Sequence, residues 1–161
     1  MNASYLDLSI ATQTVSLIED DKIIKTYSVS TAKNGAGELS GSGCTPRGWL
    51  KIRAKIGEGL PLNSVFVGRR FTGEIYTPEL ALENPKRDWI LTRILWLGGL
   101  EPHKNRYGKV DTTWRFIYFH GCPDELMDGT PKSHGCIRLK NADMLDLFNR
   151  VTVGTKVYSH E

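Results

Sequence analysis

Residue types that could together carry out nucleophilic chemistry lie close together in the last third of the chain. The segment Ser133–Arg138 reads Ser-His-Gly-Cys-Ile-Arg, and His120–Gly121 precedes it. A cysteine attacks a carbonyl group as its thiolate, so it needs a nearby base and backbone N–H groups that stabilise the oxyanion. His120 is the candidate base for Cys136, and the amides of Gly135 and Cys136 are the candidate oxyanion donors. The pattern predicts acyl transfer through a cysteine nucleophile.

Other polar side chains around this segment each have two interpretations. His134 is a second imidazole that could orient the substrate or the loop, and Ser133 could hydrogen-bond within the loop or act in catalysis. Arg138 is predicted to bind a substrate carboxylate, with a surface ion pair as the alternative. Tyr118 is the second candidate for substrate contact. Packing in the core is the alternative for Tyr118, and the same two interpretations apply to Trp96.

A metal site is a different interpretation of the same residues. His120-Gly121-Cys122 and His134-Gly135-Cys136 are two copies of His-Gly-Cys. Two imidazoles and two thiolates would satisfy a tetrahedral zinc ion, although the spacing within each copy is tighter than in the usual zinc-binding pairs. Zinc is therefore the remote alternative to a cysteine nucleophile.

The histidine, the loop after it and the Ser-His-Gly-Cys run resemble the active-site signature of L,D-transpeptidase (YkuD-type) catalytic domains, most of all members that lack an export signal. Cys136 follows His120 by 16 positions, which suits the family. Arg138 and Asn141 fall where members carry polar residues, whereas Cys122 departs from the pattern because many members have Thr or Ser there. The resemblance covers nearly the whole chain and extends to four further segments: Ser30–Thr31, Thr45–Gly48, Asn105–Asp111 and Gly154–Val157.

The resemblance implies both a fold and a reaction. The implied fold is mainly β, a sandwich or barrel with one or more short helices. In the implied reaction Cys136 attacks the carbonyl of meso-diaminopimelate in a peptidoglycan stem tetrapeptide, D-alanine leaves, and a thioester remains. His120 is the base, and the backbone carbonyl of Gly121 orients its ring. The resemblance also implies acylation by carbapenems, and it calls for no cofactor and no metal.

The acceptor of the acyl group decides the activity. Water would make the protein an L,D-carboxypeptidase, and an amine would make it an L,D-transpeptidase that forms 3–3 cross-links or exchanges D-amino acids. A peptidoglycan-binding module without activity is a third alternative, which the intact pair of Cys136 and His120 disfavours.

Composition limits the class of protein. A chain of 161 residues with 40% hydrophobic and 24% charged residues is typical of one soluble domain, here residues 1–161. The formal net charge of +3 is too small and too dispersed to indicate nucleic-acid binding.

The amino terminus and the cysteines bear on the compartment. Met1–Ser4 leads directly into a strand pattern, with no signal peptide and no apolar stretch long enough to span a bilayer. There are three cysteines, and a nucleophilic Cys136 cannot form a permanent disulfide. These features predict a cytosolic protein that meets soluble muropeptides during recycling, with water as acceptor. A chain trimmed of a leader would instead work in the periplasm.

Alternation of apolar and polar residues predicts several strands. They are Tyr5–Ile10, Gln13–Ile18, Ile23–Val29, Leu50–Ile56 and Lys156–Ser159. Two apolar runs, Ile90–Leu97 and Phe116–Phe119, predict buried strands, the second of which delivers His120 to the rim of the fold.

Two other segments have different signatures. Asn141 is predicted to cap a helix that runs from Ala142 to about Arg150. Its buried side is predicted to consist of Met144, Leu145, Leu147 and Phe148. The stretch Phe71–Trp89 contains two prolines and mixed charge, which predicts an inserted loop or short helix, either as surface decoration or as a lid.

Overall fold

The computed structural model describes residues 4–161 and is mainly β, as predicted. Met1–Ala3, which belong to the stretch used to predict the absence of a signal peptide, lie outside the described residues. The strands are β1 (Ser4–Ser9), β2 (Thr14–Glu19), β3 (Lys22–Ser28), β4 (Gly48–Ile56), β5 (Ser64–Val67), β6 (Arg70–Ile75), β7 (Ile90–Gly99), β8 (Tyr118–Gly121), β9 (Ile137–Leu139) and β10 (Lys156–His160). The α-helices are α1 (Pro78–Glu83) and α2 (Asn141–Arg150).

All ten strands belong to one hydrogen-bonded sheet. Its main path runs β3-β2-β1-β10-β4-β7-β5-β6, and β8 and β9 continue from β7 as a branch. The β1–β10 and β8–β9 pairs are parallel, and the remaining pairs are antiparallel. Ile94 of β7 pairs with Ile56 of β4 and with His120 of β8, so these two neighbours lie on opposite edges of β7. β7 is therefore the central strand that supports the branch.

The main hydrophobic core packs against α2. Because successive side chains of a strand point to opposite faces, β1 buries Leu6 and Leu8, and β4 buries Leu50 and Ile52. From α2 the core receives Met144, Leu147 and Phe148. Leu145, predicted to be buried as well, is only half-buried.

The start of α2 differs from the prediction that Asn141 caps it. The helix begins at Asn141, and the preceding Lys140 makes no side-chain cap. Asn141 is buried instead: its Nδ2 donates to the Cys122 carbonyl at 2.9 Å, and its Oδ1 accepts from the Thr92 hydroxyl. The Asp124 carboxylate accepts the Asn141 amide at 3.0 Å, so a side chain from another segment satisfies the helix N-terminus.

The segment predicted as an inserted loop or short helix contains regular structure. Most of β6 lies in it, paired with β5, and α1 follows after Thr77, whose hydroxyl accepts the Leu80 amide at 3.1 Å. The side chains of β6 are mostly exposed and Gly73 interrupts them, so no alternation marked this strand in the sequence.

The strand predicted over Phe116–Phe119 begins later. β8 starts at Tyr118, and Phe116 lies in the preceding turn with a φ of 57°. Within residues 4–161 no helix combines the length and apolar composition that crossing a membrane requires.

Candidate active site

A cleft opens where β8 and β9 run side by side. In their parallel register His120 pairs with Arg138, and Cys136 lies immediately before β9. The cavity has a volume of about 340 Å³. Its walls are formed by Gly68, Arg69, Asp88, Ile90, Arg115, Phe116, Ile117, Tyr118, His120, Ser133, His134, Cys136 and Arg138. The structure thus brings all but two of the predicted site residues, Gly121 and Gly135, to the wall of one cavity.

His120 is buried in the cleft, and the backbone carbonyl of Gly121 fixes the tautomer of its ring. Its Nδ1 lies 2.7 Å from the Gly121 carbonyl oxygen. A carbonyl only accepts, so in the neutral imidazole Nδ1 carries the hydrogen and Nε2 keeps the lone pair that a base needs. Burial lowers the pKa of His120, and this effect outweighs the Gly121 carbonyl, which raises it.

Gly121 must be a glycine for the strand to fit. A Cβ there would lie 2.5 Å from the Asn141 Oδ1 and 2.7 Å from the Leu91 carbonyl oxygen. The buried Asn141 thus packs against the backbone whose carbonyl holds the His120 ring, which connects α2 to the geometry of the candidate base.

The Cys136 thiol lies against the backbone that leads into β8. Its Sγ donates to the Phe116 carbonyl at 3.4 Å and accepts from the Tyr118 amide at 3.3 Å. Burial raises the pKa of Cys136 to about 12, although the Tyr118 amide and the guanidinium groups of Arg138 and Arg115 act in the opposite direction. Burial therefore favours the uncharged form of both the Cys136 thiol and the His120 imidazole.

The loop before Cys136 needs the backbone freedom of glycine at Gly135. Its φ of 136° lies in a region that side chains with a Cβ rarely adopt. A Cβ there would also lie 2.9 Å from the Ile117 Cδ1 and 3.2 Å from the Cys44 carbonyl oxygen. The Thr45 hydroxyl donates to the Gly135 carbonyl at 3.0 Å, so the loop is held from both sides.

Ser133 forms a hydrogen bond with one of the two predicted oxyanion donors. Its Oγ accepts the Gly135 amide at 3.2 Å and donates to the Cys136 carbonyl, so it closes the loop on itself. The Gly135 N–H is therefore already engaged. The Cys136 N–H has no protein acceptor within residues 4–161, and it is the predicted donor that remains available to an oxyanion.

The sequence matches the family model described as the L,D-transpeptidase catalytic domain (YkuD) over residues 3–158. The chain belongs to this family. Among curated protein sequences no significant match is found.

Solved L,D-transpeptidases share the fold. The structure from Mycobacterium smegmatis has a TM-score of 0.59 at 18% identity, covering 99% of this chain and 59% of that one. L,D-transpeptidase 3 from Mycobacterium tuberculosis, in complex with a faropenem-derived adduct, has a TM-score of 0.60 at 16% identity, with coverages of 99% and 61%. The L,D-transpeptidase from Xylanimonas cellulosilytica has a TM-score of 0.56 at 17% identity, with coverages of 98% and 60%. The chain thus spans about three fifths of the length of these structures.

Arg138 forms the cationic wall of this L,D-transpeptidase-type cleft. Its side chain is only 10% exposed, and one Nη lies 3.0 Å from the Asp88 carboxylate, which is 54% exposed. The Arg138 Nε is buried without a hydrogen-bond partner in residues 4–161. The alternative role, an ion pair, is present, and Arg138 lines the cleft, whereas the binding of a substrate carboxylate stays a prediction.

Tyr118 likewise combines packing with a position on the cleft wall. Its ring packs edge-on against Trp96, with centroids 6.2 Å apart, and its hydroxyl accepts from Arg69 at 3.0 Å. Burial raises the pKa of Tyr118, and the hydrogen bond from Arg69 lowers it. His134 lines the same cleft with an exposed side chain.

Three charged residues of the cleft were missed in the sequence. Arg69 lies in the two-residue turn between β5 and β6, Asp88 precedes β7, and Arg115 lies in the turn before β8. The Gly68-Arg69 pair is a hairpin-turn signal that was available. Nothing local marks Asp88 or Arg115 as neighbours of the thiol.

The structure does not assemble the two His-Gly-Cys copies into a metal site. In residues 4–161 no group of three or more His, Cys, Asp or Glu side chains is placed to bind a metal ion. The Cys122 thiol is fully buried and points to the Pro123 carbonyl, whereas His134 is exposed. Burial also raises the pKa of Cys122 to about 12.

Proposed function

We propose that the protein is an L,D-carboxypeptidase that removes the terminal D-alanine from muropeptide stem tetrapeptides through a thioester on Cys136. One observation carries the proposal: a partly exposed cysteine, a buried histidine and a cationic wall share a single cleft. These are the parts that a cysteine nucleophile requires to take an acyl group from an anionic peptide. Membership of the L,D-transpeptidase family supports peptidoglycan as the substrate class.

In the first half-reaction the thiol proton passes to Nε2 of His120 as Sγ attacks the carbonyl carbon of meso-diaminopimelate. The oxyanion that forms accepts a hydrogen bond from the Cys136 amide. The His120 imidazolium then protonates the departing nitrogen, the C–N bond breaks, and D-alanine leaves.

In the second half-reaction water attacks the thioester. His120 accepts a proton from the water, the C–S bond breaks, and the tripeptide leaves with a new carboxyl group while Cys136 regains its proton. Water is the only co-reactant.

The charge of the cleft favours water over an amine as acceptor. Arg69, Arg115 and Arg138 line it, and Asp88 is the one carboxylate among the lining residues that the structure describes. Asp88 is already paired with Arg138. A cationic cleft attracts a donor peptide with a free terminal carboxylate and repels the ammonium group of an acceptor stem, whereas water is neutral.

Transpeptidation is the alternative, and the solved structures with this fold are the observation that favours it, since they are named L,D-transpeptidases. In that case the thioester would pass to the amine of a second stem or to a free D-amino acid. Both activities share the thioester and differ only in the acceptor.

Product analysis in H₂¹⁸O distinguishes the two activities. The protein is incubated with disaccharide tetrapeptide, with and without an excess of D-methionine, and the products are weighed by mass spectrometry. The proposal predicts free D-alanine and a tripeptide with one ¹⁸O in both samples. Unlabelled D-methionine adducts or stem dimers as the main products would show a transpeptidase, and intact substrate would refute both activities.

The role in recycling carries a prediction about the compartment. The substrate in this role is a soluble muropeptide in the cytosol, and fractionation of cells that express the full-length gene product tests the location. Recovery of the protein outside the cytosol would favour action on the polymeric wall.

A further inference from the structure

A layer of aromatic rings and guanidinium groups continues from the cleft onto the outer face of the sheet. We call it the aromatic platform; it consists of Arg53, Arg69, Trp96, Trp114 and Phe116. The Arg53 guanidinium lies 4.9 Å from the ring centroid of Trp96 and 5.5 Å from that of Trp114. Arg69 lies 5.0 Å from the ring of Trp96 and 4.7 Å from that of Phe116. The rings themselves are 6.2–6.4 Å apart, so the five side chains form one continuous layer.

The platform is more exposed than packing alone explains. Trp114 is 64% and Phe116 is 42% exposed. Large aromatic side chains grouped at the surface are typical of binding sites. Phe116 also has an unfavourable backbone conformation, with a φ of 57° in the left-handed region. Such a conformation persists where the surrounding structure holds it in place.

The cations of the platform have unused donors. Neither Arg53 nor Arg69 forms an ion pair within residues 4–161; Arg69 donates to the Tyr118 hydroxyl, and the Arg53 N–H groups have no acceptor there. A cavity of about 260 Å³ continues beyond Trp114 and is lined by Lys51, Arg53 and Arg106 among others. Exposed aromatic rings flanked by N–H donors fit a pyranose, whose C–H face is apolar and whose hydroxyl and acetamido oxygens accept hydrogen bonds.

Phe116 joins the platform to the thiol. Its carbonyl oxygen lies 3.4 Å from the Cys136 Sγ, and its ring centroid lies 6.4 Å from that of Trp114. In the proposed substrate three stem residues separate the scissile bond from the sugar, and three extended residues span about 10 Å. A sugar attached to a stem in the cleft therefore lies about 10 Å from the scissile bond, and Phe116 and Arg69 of the platform line the same cleft.

We propose that the aromatic platform binds the saccharide part of the muropeptide, so that the enzyme selects stem peptides that still carry their sugars. This inference rests on the proposed function for the position of the stem. It assigns a role to residues outside the Ser-His-Gly-Cys segment, and it adds a specificity that the thiol and the imidazole do not provide.

Kinetics with two substrates test the proposal. We expect kcat/KM for disaccharide tetrapeptide to exceed that for the free tetrapeptide by about tenfold or more in the natural protein. Trp114→Ala should lower the first value several-fold more than the second. Trp49→Ala is the matched control, since this exposed tryptophan packs against Tyr158 with centroids 4.8 Å apart, outside both cavities, and it should keep the natural ratio.

Equal kcat/KM values for the two substrates in the natural protein would refute saccharide binding by the platform, but they would not contradict the proposed carboxypeptidase activity. An equal loss on both substrates in Trp114→Ala would also overturn it, because Trp114 would then act on the stem or on the fold. If neither substrate is turned over, the proposed function fails, and a binding measurement alone decides the platform.

That measurement is an NMR titration of the indole N–H signals with the disaccharide N-acetylglucosaminyl-N-acetylmuramic acid, which carries no stem. We expect the Trp114 and Trp96 signals to shift and the Trp49 and Trp89 signals to stay. Signals assigned by single Trp→Phe variants make the comparison direct. No shift at Trp114, or equal shifts at all four tryptophans, would overturn the proposal.

Discussion

Replacing Gly135 by alanine tests how the loop places the nucleophile. The new Cβ meets the Ile117 Cδ1 at 2.9 Å and the Cys44 carbonyl oxygen at 3.2 Å, at a φ of 136°. The backbone conformation costs a residue with a Cβ about 1–2 kcal/mol. Forcing an extra methyl group into packed surroundings adds about 1–3 kcal/mol. We therefore expect the free energy of unfolding to fall by about 2–5 kcal/mol.

Activity should fall further than stability explains. Cys136 follows Gly135 directly, and relief of the contact moves the thiol away from its bonds to Phe116 and Tyr118. A displacement of about 1 Å lowers a rate by roughly 100-fold. We expect a loss of this order in kcat/KM for the tetrapeptide in the fraction of Gly135→Ala that remains folded.

Gly129→Ala is the matched control. Gly129 also has a left-handed backbone, with a φ of 86°, but a Cβ there would have no atom within 4 Å. It should show only the backbone cost of about 1–2 kcal/mol and natural kcat/KM. Urea denaturation and steady-state kinetics measure both quantities. If Gly135→Ala matched Gly129→Ala in stability and activity, the account of the loop would be refuted.

Four further predictions concern the chemistry of the cleft. Cys136→Ala should retain the natural circular dichroism spectrum. It should not release D-alanine, because the neighbouring Cys122 thiol is fully buried and cannot replace the nucleophile. Residual release would mean that a different residue is the nucleophile. The acid limb of the pH profile of kcat/KM should lie below pH 6.5, because burial lowers the pKa of His120. A limb above pH 6.5 would contradict this effect of burial. Arg138→Gln should raise KM for the tetrapeptide, and it should slow alkylation of Cys136 by iodoacetamide because the guanidinium lowers the pKa of the thiol. Arg138→Lys keeps the charge but not the planar guanidinium, so it should restore the alkylation rate more than KM. Natural values in both variants would exclude binding of the substrate carboxylate by Arg138. A carbapenem should add its mass once to the natural protein and should leave the mass of Cys136→Ala unchanged. The faropenem-derived adduct of L,D-transpeptidase 3 from Mycobacterium tuberculosis supports this prediction. An unchanged mass of the natural protein would count against an accessible thiol.

Local patterns predicted much of the sheet. Alternation is visible in the sequence of β1 and β4, because each strand buries every second residue, as at Leu6 and Leu8. The short strands β5 and β9 were not predicted. β9 has only three residues, all buried, so it carries no periodic signal, and its pairing with β8 defines it as a strand.

The site was predictable where it depends on adjacent residues. Chemistry and resemblance marked Cys136 and His120, and the structure places both in one cleft. The Asp88 carboxylate and the Arg115 guanidinium come from segments without a motif, so only the tertiary fold reveals them. The engagement of the Gly135 amide by Ser133 Oγ likewise depends on the conformation of the loop, which a residue list does not specify.

Intact-protein mass spectrometry during turnover tests the central claim most directly. The protein is mixed with disaccharide tetrapeptide, quenched in acid within the first turnovers, and weighed before and after digestion to locate any adduct. The account predicts an added mass equal to the substrate minus D-alanine, carried by Cys136 and removed by hydroxylamine, which cleaves thioesters. Release of D-alanine with no adduct on Cys136 under any quench time, or with the adduct on another residue, would contradict it.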